Sequence, residues 1–205
     1  INNSFKQSEF ITPPIKASGE KLKLVWFSQV ISPGRGLELI LPLLRKFEVQ
    51  LSLTLFGYLS AENKIWLDSF KAPVKVEAPL SQTELHNRIS EFDVGLALEL
   101  SNTDFNRQLC LTNKIYAYAQ AGLYILATDT PAQKQFINDN SNRGCVISQD
   151  KQSVYEVLNS LITNKQTIRE SSIERYREAY QISWEKDSQI WLDQFTWLLN
   201  KNENS

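Results

Sequence analysis

Apolar positions along the chain recur in two alternating rhythms. Six short runs carry a strand-like pattern: Leu22–Phe27 (LKLVWF), Gln50–Phe56 (QLSLTLF, with Gly57 ending it), Val74–Val76, Asp93–Leu98 (DVGLAL), Leu123–Ala127 (LYILA) and Cys145–Ile147. Between them, apolar residues fall three and four apart, the spacing of a helical face. Leu37, Ile40, Leu41 and Leu44 form one such face, Trp66 and Phe70 mark a second over 61–70, and Leu85, Ile89 and Phe92 a third. Helix starts are legible as well. Ser81 followed by Glu84 is a capping box, and Thr130-Pro131-Ala132-Gln133 offers a cap, a proline at the first helical position and a glutamine at the third. Asn113–Gln120 reads as a helix closed by Gly122, and three more helical segments follow at 151–163, 166–180 and 184–200.

Strands that alternate with helices of about ten residues imply βαβ units. The right-handed crossover rule then leaves an α/β fold with a Rossmann-like, doubly wound parallel sheet as the simplest arrangement. Ligands of such sheets bind outside the carboxyl ends of the strands, which directs attention to the loops there. Residues 1–20 are polar, carry Pro13 and Pro14, and read as an extended linker. The main domain is expected over 21–182, with a separate C-terminal helix over 183–205. On that helix Ser183 is a candidate cap, and Trp191, Phe195 and Leu198 share a face that Leu192 and Leu199 broaden.

Composition narrows the function classes. At 205 residues, 42% hydrophobic and 22% charged, the chain is of ordinary globular make-up. A net charge of −1 argues against broad attraction to nucleic acid or anionic membrane, though not against a local basic pocket. No apolar run approaches the ~20 residues of a membrane span, and INNSFKQSEF lacks the features of a signal peptide. Cys110 and Cys145 have no metal-ligand spacing and fit a reducing, cytoplasmic setting. The single histidine, His86, argues against a His-based zinc site and, lying inside a helix, reads as a surface residue. The sequence contains no methionine, so an internal piece of a longer protein is expected.

The loop Ser32-Pro33-Gly34-Arg35-Gly36 follows the first strand. Gly34 and Gly36 would let the backbone approach a ligand closely, the next helix presents unpaired N–H groups, and Arg35 offers a fork for phosphate oxygens. That combination suits a diphosphate; the alternative is a tight turn with a solvated arginine. The loop is not G-x-G-x-x-G, and no acidic residue ends the second strand, which disfavours a dinucleotide. Asn113 or Thr112 can cap the helix after the fourth strand, placing Lys114 in its first turn. A cation there opposes the helix dipole, a conflict that a bound anion would remove; a solvated lysine is the alternative. Glu99 and Ser101, just past the fourth strand, could meet sugar hydroxyls, or simply face water. Thr130 is explained by capping alone. No acidic pair with metal-ligand spacing is apparent, so neither metal nor cofactor is expected, and no catalytic residue is assigned.

From residue 21 to about 200 the chain resembles the C-terminal, donor-binding domain of group 1 glycosyltransferases of the GT-B fold. The likeness rests on the order and spacing of four blocks, WFSQVISPGRGLELI, LTLFGYLS, LSQTELHNRISEFDVGLALE and LTNKIYAYAQAGLYILATDTPAQ; INNSF also resembles the last strand of the family's N-terminal domain. The resemblance implies transfer of a sugar, with retention, from a nucleotide-diphosphate donor. It implies diphosphate contacts at Gly34, Arg35, Gly36, Asn113 and Lys114, a nucleobase against Gly57, Ala78, Pro79 and Leu80, and sugar contacts at Glu99 and Ser101. It further implies a missing N-terminal acceptor domain, the sole expected route to peripheral membrane association. The last helix would cross back to that domain, leaving part of its aromatic face bare. One departure stands out: the family's Glu-x7-Glu pair would fall on Leu109 and Ala117, neither of them acidic. That departure supports a competing reading, a non-catalytic nucleotide- or sugar-binding module. A receiver-type or flavodoxin-like domain is a third, weakened by the lack of carboxylates at the end of the first strand.

Overall fold

All six predicted runs form strands, and every pairing is parallel. The strands are β1 (Leu22–Val30), β2 (Leu51–Tyr58), β3 (Val74–Glu77), β4 (Val94–Ala97), β5 (Tyr124–Thr128) and β6 (Gly144–Ile147). Their order, β3-β2-β1-β4-β5-β6, is that of the doubly wound Rossmann sheet, with the reversal of direction between β1 and β4. The computed structural model describes residues 3–17, 19–100, 109 and 111–203. Among these the α-helices are α1 (Leu37–Leu44), α2 (Ala61–Ser69), α3 (Gln82–Ile89), α4 (Asn113–Gln120), α5 (Pro131–Asn138), α6 (Lys151–Thr163), α7 (Lys165–Glu170), α8 (Ser172–Glu178) and α9 (Trp184–Glu203).

Side chains of β1 alternate between two cores, as a strand buried on both faces must. Leu22, Leu24 and Trp26 join Leu53 and Leu55 beneath α1, α2 and α6. Val25 faces the other way, with Phe56, Ile125 and Ala127 against α3, α4 and α5. Each fully buried aliphatic or aromatic side chain contributes roughly 1.5–3 kcal/mol of transfer free energy, so both layers are firmly specified.

Two elements differ from their sequence-based boundaries for reasons visible in the packing. β1 runs on to Val30, pairing with β2 through an irregularity between Phe27 and Val30. Gly57 therefore lies inside β2 rather than ending it. A Cβ there would stand 2.5 Å from the Ser28 carbonyl oxygen, so only glycine lets the strands approach at the irregular step. The expected helix at 166–180 is broken into α7, α8 and a 3-10 turn at Ala179–Ile182. At the break Ser171 has φ −82° and ψ 2°, off the helical region. The break lets Arg169 turn toward Asp93 and Arg175 toward the Gly122 carbonyl.

The segment before β1 is tied to the domain at both ends. The Gln120 side-chain amide accepts the Phe5 N–H at 2.9 Å and donates to the Phe5 carbonyl at 2.8 Å. The Trp184 N–H donates to the same carbonyl at 2.9 Å. Further along, Lys16 lies 3.4 Å from the Asp93 carboxylate, which Arg169 also grips through Nε and Nη2, each at 3.0 Å. Burial pulls the Lys16 ammonium down to a pKa of about 8, Asp93 opposing the shift.

His86 is a correction to the sequence-based expectation. It is buried, its ring stacked on Phe10 at 4.2 Å and meeting Phe5 edge-on at 4.5 Å. Helical spacing within 82–89 identifies only the face that meets the sheet; it carries no information about a distant segment packing on another face.

Candidate functional site

A cleft of about 340 Å³ opens at the carboxyl ends of β1, β2 and β3. Phe27 and Phe56 give it an aromatic floor, and Tyr118 meets the Phe27 ring edge-on at 5.2 Å. Pro79 and Leu80, between β3 and α3, form one wall, and α3 adds Gln82, Leu85 and His86. Asn113 and Lys114, in the first turn of α4, form the opposite wall, and Phe5 closes one end. The cleft is thus aromatic and apolar at one side and cationic at the other.

Lys114 is held from two directions. Its Nζ lies 5.1 Å from the centre of the Trp26 ring and 3.9 Å from Glu99 Oε1. Glu99 is placed by the end of β5: its N–H donates to the Thr128 hydroxyl at 2.9 Å, and that hydroxyl lies 2.8 Å from its carbonyl oxygen. A cation in a first helical turn opposes the dipole. Here the Glu99 carboxylate and the Trp26 π-face offset that conflict, and an incoming anion would compete with Glu99 for the same ammonium.

The loop between β1 and α1 is built tightly. Gly36, at φ +82°, caps α1, and a Cβ there would stand 2.5 Å from Leu98 Cβ, so the loop lies against the chain just past β4. The Gly34 N–H donates to the Glu38 carboxylate. An acidic side chain therefore already occupies the start of α1. Arg35 is half-exposed and makes no hydrogen bond or ion pair among the described residues.

Of the residues singled out from sequence, Pro79, Leu80, Asn113 and Lys114 meet in the one cleft, with Glu99 beside Lys114. Gly34, Arg35 and Gly36 form a neighbouring loop and are not part of the cleft wall. Ala78 is exposed just before Pro79, and Gly57 supports the floor from within β2. Ser101 lies outside the described residues. Thr112 rather than Asn113 precedes the first turn of α4, without a side-chain capping bond.

Sequence reasoning missed Phe5, Phe27, Ser28, Gln29, Gln82 and His86. The extension of β1 to Val30 brings Ser28 and Gln29 to the cleft. The uninterrupted stretch FSQVI before Pro33 was the available signal. Nothing in the sequence signalled Phe5 or His86, which depend on a contact between segments far apart in the chain. Burial holds the His86 pKa below the usual imidazole value, with the Glu9 carboxylate, 3.3 Å from Nδ1, partly opposing the shift. Ala117 is buried in the core of α4, and Leu109 is exposed at a separate cavity of about 560 Å³. Neither position offers a carboxylate to the cleft. Among the described residues no cluster of three or more His, Cys, Asp or Glu side chains could hold a metal ion, and no helix is long and apolar enough to cross a membrane.

No protein-family model and no curated protein sequence matches the chain. Solved structures do match its fold. The chain is similar to a HepE structure from Anabaena in complex with UDP and glucose, at 13% identity and TM-score 0.65, over 94% of this chain and 55% of that one. It is similar to sucrose-phosphate synthase from Thermosynechococcus elongatus, at 13% identity and TM-score 0.64, over 94% and 51%. The catalytic domain of cholesterol-α-glucosyltransferase from Helicobacter pylori matches at 12% identity and TM-score 0.59, over 80% of this chain and 100% of that one. The chain spans about half the length of the first two. The fold, a six-stranded parallel sheet with flanking helices, is the Rossmann-like fold of GT-B glycosyltransferase domains.

Proposed function

We propose that the chain is the donor-binding domain of a glycosyltransferase and takes a nucleotide-diphosphate sugar. The observation that carries this reading is the pairing, in one cleft, of Lys114 at the start of α4 with the aromatic and apolar wall of Phe27, Pro79 and Leu80. A base fits the flat apolar end, and a diphosphate fits the cationic end. Arg35, on the adjacent loop outside the cleft wall, is a second cation that would reach the diphosphate from beside it, and Glu99 and Ser101 are the sugar-side groups. Negative charge builds on the departing nucleotide as the glycosidic bond breaks, and cations fixed in advance lower the energy of that state. Similar folds bound to UDP or ADP support the ligand class. The reading requires neither metal nor cofactor. Transfer, with retention, is assigned to the assembly with an acceptor-binding domain, because catalysis needs both reactants held in geometry.

One observation favours a second reading, a binding module without catalysis: no carboxylate stands at Leu109 or Ala117. Calorimetric titration with UDP-, GDP-, dTDP- and ADP-glucose separates the possibilities. Saturable binding of one donor supports a donor site, and no binding of any would overturn it. A donor-binding chain that remains inactive when joined to an acceptor domain would point to the module.

A further inference from the structure

At the opposite edge of the sheet, by the amino ends of β5 and β6, a second cavity of about 300 Å³ opens toward α6 and the α7–α8 junction. Arg175, only 4% exposed, supplies its one charged side chain among the described residues. Among the described residues no aspartate or glutamate lines it. The Arg175 Nε donates to the Gly122 carbonyl at 3.1 Å, and Nη2 donates to the Ile168 carbonyl. Both partners are neutral, and Nη1 makes no hydrogen bond among the described residues. Arg169, on the helix before it, shows the contrast, with a buried carboxylate gripped by two nitrogens.

A buried guanidinium without a counter-ion is costly, and the group responds by binding whatever negative density is near. Burial accordingly pulls the Arg175 pKa down to about 10; Tyr124 and Asp93, and after them Glu174 and Glu178, oppose the shift, and none of these carboxylates forms an ion pair with it. The Tyr124 ring, 5.7 Å away, offers a π-face in place of an anion. Around the same cavity stand the hydroxyls of Ser141, Thr167 and Ser171, none hydrogen-bonded among the described residues. Leu161 and Ile168 supply an apolar floor.

We propose that this cavity binds a small phosphate-bearing anion, seated on Arg175 Nη1 and the surrounding hydroxyls, at a site remote from the nucleotide cleft. One cation with several neutral donors matches a phosphoryl group, whose oxygens accept several hydrogen bonds at once. The apolar floor has room for a carbon skeleton. Because Arg175 also holds the Gly122 carbonyl, an occupied cavity would brace the turn between α4 and β5, and ligand would raise the melting temperature by linkage.

The test is titration calorimetry on the whole chain with glucose 6-phosphate, inorganic phosphate and glucose. Both phosphate-bearing probes are expected to bind saturably and glucose not at all. Tighter binding of glucose 6-phosphate identifies a phosphorylated sugar as the occupant, and equal binding identifies free phosphate. Arg175→Gln should abolish binding but also removes the clamp on Gly122. Ser141→Glu therefore serves as the second variant, since Ser141 is exposed at the rim. It is expected to weaken binding tenfold or more with an unchanged melting temperature. Saturating UDP should leave phosphate binding intact. No saturable binding to the wild type, unchanged affinity in Ser141→Glu, or displacement by UDP would each overturn the proposal. The first two concern this cavity alone and leave the donor reading untouched.

Discussion

The ammonium of Lys114 and the carboxylate of Glu99 stand 3.9 Å apart, both nearly buried, so the cation that begins α4 arrives with an internal counter-ion. A nucleoside diphosphate must compete with that carboxylate. Glu99→Gln is expected to tighten UDP binding by about 1 kcal/mol, near fivefold, the upper range for a single ion pair. Lys114→Ala is expected to weaken it by about 1.5–3 kcal/mol, the scale of a charged hydrogen bond. Calorimetry finding both variants at wild-type affinity would remove the pair from the ligand site.

His86 makes stability sensitive to acid. The unfolded chain takes up the histidine proton near pH 6.5, whereas burial between Phe5 and Phe10 delays uptake in the folded chain to lower pH. Between those two values the unfolded state binds more protons. The His86 contribution is therefore complete above pH 6.5 and is lost as pH falls toward the folded pKa. His86→Phe keeps a stacked ring without a titrating group. Its urea midpoint should fall less steeply than that of the wild type below pH 6.5. Parallel curves would show that the proton is not excluded by folding.

Gly57 tests the packing beneath the cleft. A Cβ 2.5 Å from the Ser28 carbonyl oxygen must push β1 and β2 apart. Gly57→Ala should cost about 1–3 kcal/mol in thermal unfolding, the usual penalty for overpacking. It should also weaken nucleotide binding, because Ser28 lines the cleft. A variant as stable as the wild type would mean that the strand pair has slack there.

The face of α9 is the third surface with a clear consequence. Trp184, Trp191 and Phe195 share that face and are 41%, 39% and 60% exposed, and Trp184 adjoins Phe5. Clustered exposed aromatics promote association. Sedimentation should show self-association rising with concentration. Trp191→Glu with Phe195→Glu should abolish it while shifting stability by less than about 0.5 kcal/mol per site, as at other exposed positions. A wild type that stays monomeric at high concentration would contradict this expectation.

By itself the sequence determined the succession of six strands and their helices along the chain, because strands buried on both faces read as short continuous apolar runs and helices as apolar faces of period 3.6. It also singled out Lys114 as a candidate, since a cation in a first helical turn conflicts with a local field that depends on the adjacent backbone alone. The Ser81–Glu84 capping box formed as read, for the same local reason. Tertiary structure decided what local rules do not contain. Glu99 meets Lys114 only because Thr128, in β5, fixes the backbone beyond β4. Arg35 stands outside the cleft wall even though it lies at a strand's carboxyl end. His86 is buried because Phe5 and Phe10 return to cover it, and the helix at 166–180 breaks so that two arginines can face different partners. Such contacts join residues dozens of positions apart, and their energies depend on distances that the packing of whole layers sets.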